Sequence, residues 1–154
     1  MHAHRLRYDP VAAAGIPAHV TILYPFVPPA QLTPAVDAAV KDALAGFSAF
    51  DFALTRAERF DDGVLYLAPE PAGPFQALTA AIAARWPEHP PYGGVFDHVV
   101  PHLTVAIAEG APVDALVPEL RAGLPIRTRA EEVCLMVGRE QGIWEVRERF
   151  PLAP

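Results

Sequence analysis

His19-Val20-Thr21-Ile22 and His102-Leu103-Thr104-Val105 carry one pattern twice, a histidine and a threonine interleaved with aliphatic residues. Side chains on a β-strand alternate between faces, so His19 and Thr21 are expected on one face and Val20 and Ile22 on the other. The second tetrapeptide sorts the same way. Each expected strand presses its aliphatic pair into a core and turns an imidazole and a hydroxyl toward a cleft, a combination suited to proton transfer beside an anion.

Outward from these segments, His4 to Tyr8 reads as a first strand, and the first His-Thr strand runs to Tyr24-Pro25-Phe26, where Pro25 should end the ladder. Thr33-Pro34 has the form of a helix N-cap followed by proline at the first helical position, and Val36, Val40 and Leu44 recur at helical spacing as far as Gly46. Phe50 to Phe60 and Gly63 to Leu67 read as a hairpin turned at Asp61-Asp62-Gly63, followed by a helix over Phe75 to Trp86. After the second His-Thr strand, Val113 to Leu120 reads as a helix despite Pro118. Ile126 to Gly138 and Ile143 to Phe150 read as two more strands joined near Gln141-Gly142. The order strand, helix, hairpin thus occurs twice, with 44 positions from His19 to Gly63 and 40 from His102 to Gly142.

The expectation is an α+β fold in a single domain over residues 1–154, bilobal, built from duplicated strand-helix-hairpin units. Its lobes cover roughly 9–88 and 89–154, the N-terminal strand joins one sheet, and two antiparallel sheets flank a central groove with helices outside. Pseudo-twofold pairing would bring His19 and His102, 83 positions apart, to opposite walls of that groove.

Composition bounds the ligand. With 52% hydrophobic and 19% charged residues in 154, the chain suits one globular core, and no apolar run reaches membrane-spanning length. The polar, basic stretch from Met1 to Arg7 does not read as a signal peptide, so a cytoplasmic location is expected. A net charge of -6, with one lysine against eleven arginines, disfavours a DNA duplex or long RNA, whereas a small phosphorylated ligand held by a few local donors fits.

Tyr24 and Phe26 are placed to form a groove wall on which a base stacks. Glu88 to Pro101, rich in Pro and Gly and carrying Tyr92, Phe96, Asp97 and His98, reads as a loop over the groove, with Phe96 a further substrate contact. His98 and His102 are four apart, but proline interrupts that stretch, so the spacing makes no metal pair. No metal site and no cofactor are expected. Cys134, between Val133 and Leu135, reads as a buried reduced thiol, and a single cysteine allows no intrachain disulfide. Arg127, Arg129, Arg147 and Arg149, interspersed with Glu131, Glu132, Glu145 and Glu148, read as a salt-bridged outer sheet face. Arg56 and Arg59 are candidates for phosphate contact, and His2 and His4 are assigned nothing.

The two motifs, with Tyr24-Pro25-Phe26 after the first, resemble those of the 2H phosphoesterase superfamily, particularly its 2'-5' RNA ligase-like branch. The resemblance extends over almost the whole chain. It implies a bilobal α+β fold with both motifs lining a central groove, and metal-free action on 2',3'-cyclic phosphates, related cyclic nucleotides or 2'-5' phosphodiesters.

The residue types support that chemistry in their own right. Displacement at a phosphodiester needs a base to deprotonate water or a hydroxyl and an acid to protonate the departing oxygen, and two imidazoles near pKa ~6.5 divide that work at neutral pH. Thr21 and Thr104 would donate to the non-bridging oxygens as their charge grows. Which histidine is base and which acid stays open at this stage. The expected ligand is a nucleotide or short RNA with a cyclic phosphate or 2'-5' linkage, the expected state a monomer. A non-catalytic nucleotide or RNA-end binding module on the same fold is the alternative, although phosphate binding alone would not require both histidines. Metal-dependent hydrolysis, a third reading, would be abolished by chelator.

Overall fold

A computed structural model describes residues 2–96, 98–107, 111–139 and 142–154. Its strands form a four-stranded antiparallel sheet and a two-stranded one. The larger has the order β3-β2-β1-β4, from β1 (Phe50–Arg59), β2 (Leu65–Glu70), β3 (Leu103–Ala106) and β4 (Ile126–Ala130). The smaller pairs β5 (Glu132–Gly138) with β6 (Trp144–Pro151). The helices are α1 (His2–Tyr8), α2 (Pro10–Ala13), α3 (Pro34–Leu44), α4 (Gly73–Arg85) and α5 (Val113–Ala122). The α+β class and the two antiparallel sheets are as expected.

Local signals explain several elements. Thr33 caps α3 by accepting from the Val36 amide at 3.4 Å, with Pro34 behind it, and Val40 and Leu44 bury the helix's apolar stripe. The hairpin of β1 and β2 turns at Gly63, whose φ of 93° lies in the left-handed region glycine tolerates best, and Asp62 Oδ1 accepts from the Val64 amide. In α5 the helix continues through exposed Pro118 because Val113, Leu116 and Leu120 seat one face against the sheet.

Two cores result. One joins Leu54, Ala57, Leu65 and Leu67 of the first hairpin to Leu103 and Val105 of β3 and the buried face of α5. The other joins Val40 and Leu44 of α3, and Leu78 and Ile82 of α4, to Phe150 of β6 and to Leu152. Each core therefore mixes the two sequence halves, so the division into lobes at residues 9–88 and 89–154 does not separate the packing units: each hairpin sits with helices from the other half.

Three expectations are corrected. His4 to Tyr8 is helical, not a strand joining a sheet, because Arg5 and Asp9 pair one helical turn apart and Asp9 caps α2 by accepting from Val11. Ile126 to Gly138 is two strands divided at Glu131: β4 pairs with β1, Leu54 opposite Ile126, whereas β5 pairs with β6. The ion pairs expected of the strand arginines fall on different sheets, Arg129 of β4 with Asp51 of β1 and Arg149 of β6 with Glu132 of β5. Finally, His19 to Ile22 is irregular, unladdered chain with a bend at Ile22, and β3 begins only at Leu103. Met1, Asp97 and Gln141, named above, lie outside the described residues.

A candidate active site formed by two histidines

The alternation predicted for both motifs survives without two matching strands. In and just before β3, Leu103 and Val105 are buried in the first core while His102, which precedes the strand, and Thr104 are half-buried. In the first motif Val20 packs on that same core and Ile22 on the second, leaving His19 and Thr21 half-buried. The first segment thus bridges the two cores. A side chain and a loop replace its missing ladder: Thr79 of α4 donates to the Ile22 carbonyl at 2.8 Å, and the Tyr92 amide donates to the Tyr24 carbonyl at 2.6 Å.

Both imidazoles are held in the same way. His19 Nδ1 lies 2.9 Å from the Pro17 carbonyl and His102 Nδ1 lies 2.7 Å from the Val100 carbonyl, each two residues upstream. A carbonyl only accepts, so each Nδ1 carries the proton, and in the neutral ring Nε2 presents a lone pair. His19 Nε2 faces Thr21 Oγ1 at 3.2 Å. Burial is the main reason the His19 pKa is lowered from its ordinary value of 6.5; the Pro17 hydrogen bond opposes the shift, and Arg5 and His102 add to it. The two segments lie side by side, since the Arg5 guanidinium donates both to the Ile16 carbonyl, three residues before His19, and to the Thr104 carbonyl.

Around His102 the sheet supplies an aromatic wall. Phe60 and Tyr66 stack at 4.1 Å between centroids, and each meets the His102 ring in a tilted or edge arrangement, at 5.0 and 5.6 Å. Tyr66, opposite Thr104 in the ladder, donates to Glu58 at 2.9 Å, and desolvation with that bond pushes its pKa up to about 12, so it stays a phenol. Arg56, a sequence candidate for phosphate, is tied to Glu58 at 2.8 Å and Glu70 at 3.3 Å. Arg59 is exposed at the end of β1.

The expected aromatic contacts divide. Tyr24 is 53% exposed with its ring 6.4 Å from that of Trp144, and Phe96 is 58% exposed, edge-on to Tyr92. Phe26 instead packs edge-on against Trp86 at 5.0 Å beside the second core. Cys134 is half-buried, and desolvation with the nearby Glu132 carboxylate raises its pKa, which keeps it a thiol. A shallow cavity of about 450 Å³ between α3 and β6, and another of about 330 Å³ beside Arg139 and Arg147, lie away from the histidines.

Two contributors escape a reading of the sequence alone. Tyr92 stands there only as part of a covering loop; its φ of 51°, next to Gly93 and Gly94, turns it so that its amide bonds Tyr24 and its hydroxyl sits beside Thr21. Arg5, with a side chain 1% exposed, lies beneath both motifs. Asp9-Pro10 is the available signal, since it repeats the cap-and-proline form of Thr33-Pro34.

TT0787 of Thermus thermophilus has a similar structure, with a TM-score of 0.60 and 19% identity over 89% of this chain and 80% of that one. LigT of E. coli, crystallised with 3'-AMP, also gives a TM-score of 0.60, at 13% identity over 100% of this chain and 94% of that one. At such identities the likeness is one of fold. No curated protein matches the chain. The family model of the 2'-5' RNA ligase superfamily matches residues 1–142, a span holding both His-Thr motifs and most of both cores, and the chain belongs to that superfamily.

Proposed function

We propose that this protein is a phosphodiesterase that opens a 2',3'-cyclic phosphate, or cleaves a 2'-5' linkage, in a nucleotide or short RNA, acting as a monomer and without a metal. The observation that carries the reading is the matched pair of imidazoles, each fixed through Nδ1 by a carbonyl two residues upstream, on two segments that one buried guanidinium ties together. Two proton-transfer groups at one phosphorus suffice for in-line displacement.

His19, held neutral by burial, takes a proton from water at Nε2. The hydroxide oxygen bonds to phosphorus, the P–O2' bond breaks, and protonated His102 gives its proton to the leaving O2'. Thr21 and Thr104 hydroxyls donate to the non-bridging oxygens, where charge grows in the transition state. From a 2',3'-cyclic phosphate the product is a nucleoside 3'-phosphate, the class of molecule that LigT holds in its crystal structure. Tyr24 and Phe96, both exposed, offer faces on which the base stacks.

The test is hydrolysis of 2',3'-cyclic nucleotides in the presence of chelator, with the isomer of the product identified. His19→Ala and His102→Ala should each lower kcat by about 10²- to 10⁴-fold, the range of general acid–base catalysis. Full turnover in either variant sinks the proposal, and tight binding without product shows a binding module instead. Loss of activity on adding chelator to the native chain returns the reaction to a metal.

A further inference from the structure

Resting on the reading of His19 and His102 as the acid–base pair, we propose that the buried Arg5–Asp9 ion pair is a positioning device that sets the first His-Thr segment against the second. Arg5 Nε donates to the Thr104 carbonyl at 3.0 Å, within the second motif, and Nη1 donates to the Ile16 carbonyl at 3.4 Å, three residues before His19. Nη2 donates to Asp9 Oδ2 at 2.8 Å, and the other Asp9 oxygen caps α2. Both side chains are about 1% exposed. One planar guanidinium therefore holds the backbones of both segments at fixed spacing, a task for which a lysine lacks the fork.

The need is specific to this architecture. Leu103 to Ala106 is held by ladder bonds to β2, but the segment reaching His19 has no ladder, and Arg5 is the side chain that ties its approach to β3. The Tyr8 carbonyl accepts from Ile107 at 2.9 Å and extends the same junction. The pair also sets the charge beside His19: Arg5 and His102 depress its protonation and Asp9 favours it, while Thr21 and the Tyr92 hydroxyl complete its polar surroundings.

Three variants separate positioning from mere support of the fold. Arg5→Lys keeps the charge without the fork. Asp9→Asn keeps shape and cap but leaves Arg5 unneutralised. Arg5→Met combined with Asp9→Asn removes both charges, so that none is stranded in the interior. Each is measured for cooperative unfolding, for kcat and KM on 2',3'-cyclic AMP, and for the titration of the His19 and His102 rings by NMR, which needs no substrate.

The double variant should fold, with kcat down about tenfold to a hundredfold and KM changed less than about threefold, as misaligned reacting groups require. Arg5→Lys should not rescue kcat. Asp9→Asn should move the His19 titration to lower pH, and the double variant should bring it back toward the native value. Native kcat and an unaltered His19 titration in folded variants would overturn the proposal, as would loss of cooperative folding in all three, which marks a purely structural pair. Turnover surviving in His19→Ala or His102→Ala would instead defeat the acid–base reading, and the NMR titrations would still report whether Arg5 and Asp9 govern the ring.

Discussion

The two His-Thr segments reach one geometry by different means. His102 and Thr104 ride on, or at the mouth of, a strand whose ladder to β2 fixes it, with the stacked rings of Phe60 and Tyr66 against the imidazole. His19 and Thr21 lie on unladdered chain braced by Thr79, Tyr92 and Arg5. Regular pairing distributes the task of holding a side chain over many backbone bonds, whereas irregular chain concentrates it in a few side chains. Single substitutions outside the motif should therefore disturb the first segment more than the second.

The largest effect tests whether the segments are equivalent where they meet the phosphate. Thr21→Val and Thr104→Val keep the branched shape and remove only the hydroxyl, and each should cost about 10²- to 10³-fold in kcat, on the scale of one lost transition-state donor. Equal losses support a symmetric role in steady-state kinetics. A loss confined to Thr21 would mean that its hydroxyl serves His19 Nε2 and Tyr92, its near neighbours, instead of the substrate.

A smaller effect tests the bracing. Thr79→Val strips the donor, itself 9% exposed, from the part-buried Ile22 carbonyl and costs about 1 kcal/mol in denaturant unfolding, the net worth of one such hydrogen bond. Activity should fall with it, because Ile22 adjoins Thr21. Tyr66→Phe, at the second segment, removes the bond to Glu58 and leaves the ladder of β3 intact, so kcat should stay within about threefold of native. The reverse ranking would contradict the contrast between laddered and braced segments.

Much of this was legible because it is encoded locally. The alternation of His102 and Thr104 with Leu103 and Val105, the Thr33-Pro34 helix start and the Asp62-Gly63 turn each depend on residues within a few positions of one another. What escaped depends on partners far along the chain. Arg5 is buried only because Ile16, Thr104 and Asp9 converge on it. Likewise, the continuous strand pattern from Ile126 to Gly138 divides because its first part finds β1 and its second finds β6, a choice of neighbours that periodicity does not express.

The finest distinction is electrostatic. Burial lowers the His19 pKa from 6.5, so the base form persists in acid beyond the ordinary imidazole range, and the acidic limb of kcat/KM should fall below pH 6.5. The same shift links to stability. Between the lowered folded value and the unfolded value near 6.5 the unfolded chain binds more protons, so the stabilisation is fully present above that window and is lost as pH falls through it. Native protein should lose more stability from pH 7 to pH 5 than His19→Gln does, read from urea midpoints at the two pH values. An equal loss in both would mean that the ring is as free to protonate in the folded chain as in the unfolded one. Burial on the braced segment would then have given His19 no bias toward acting as the base.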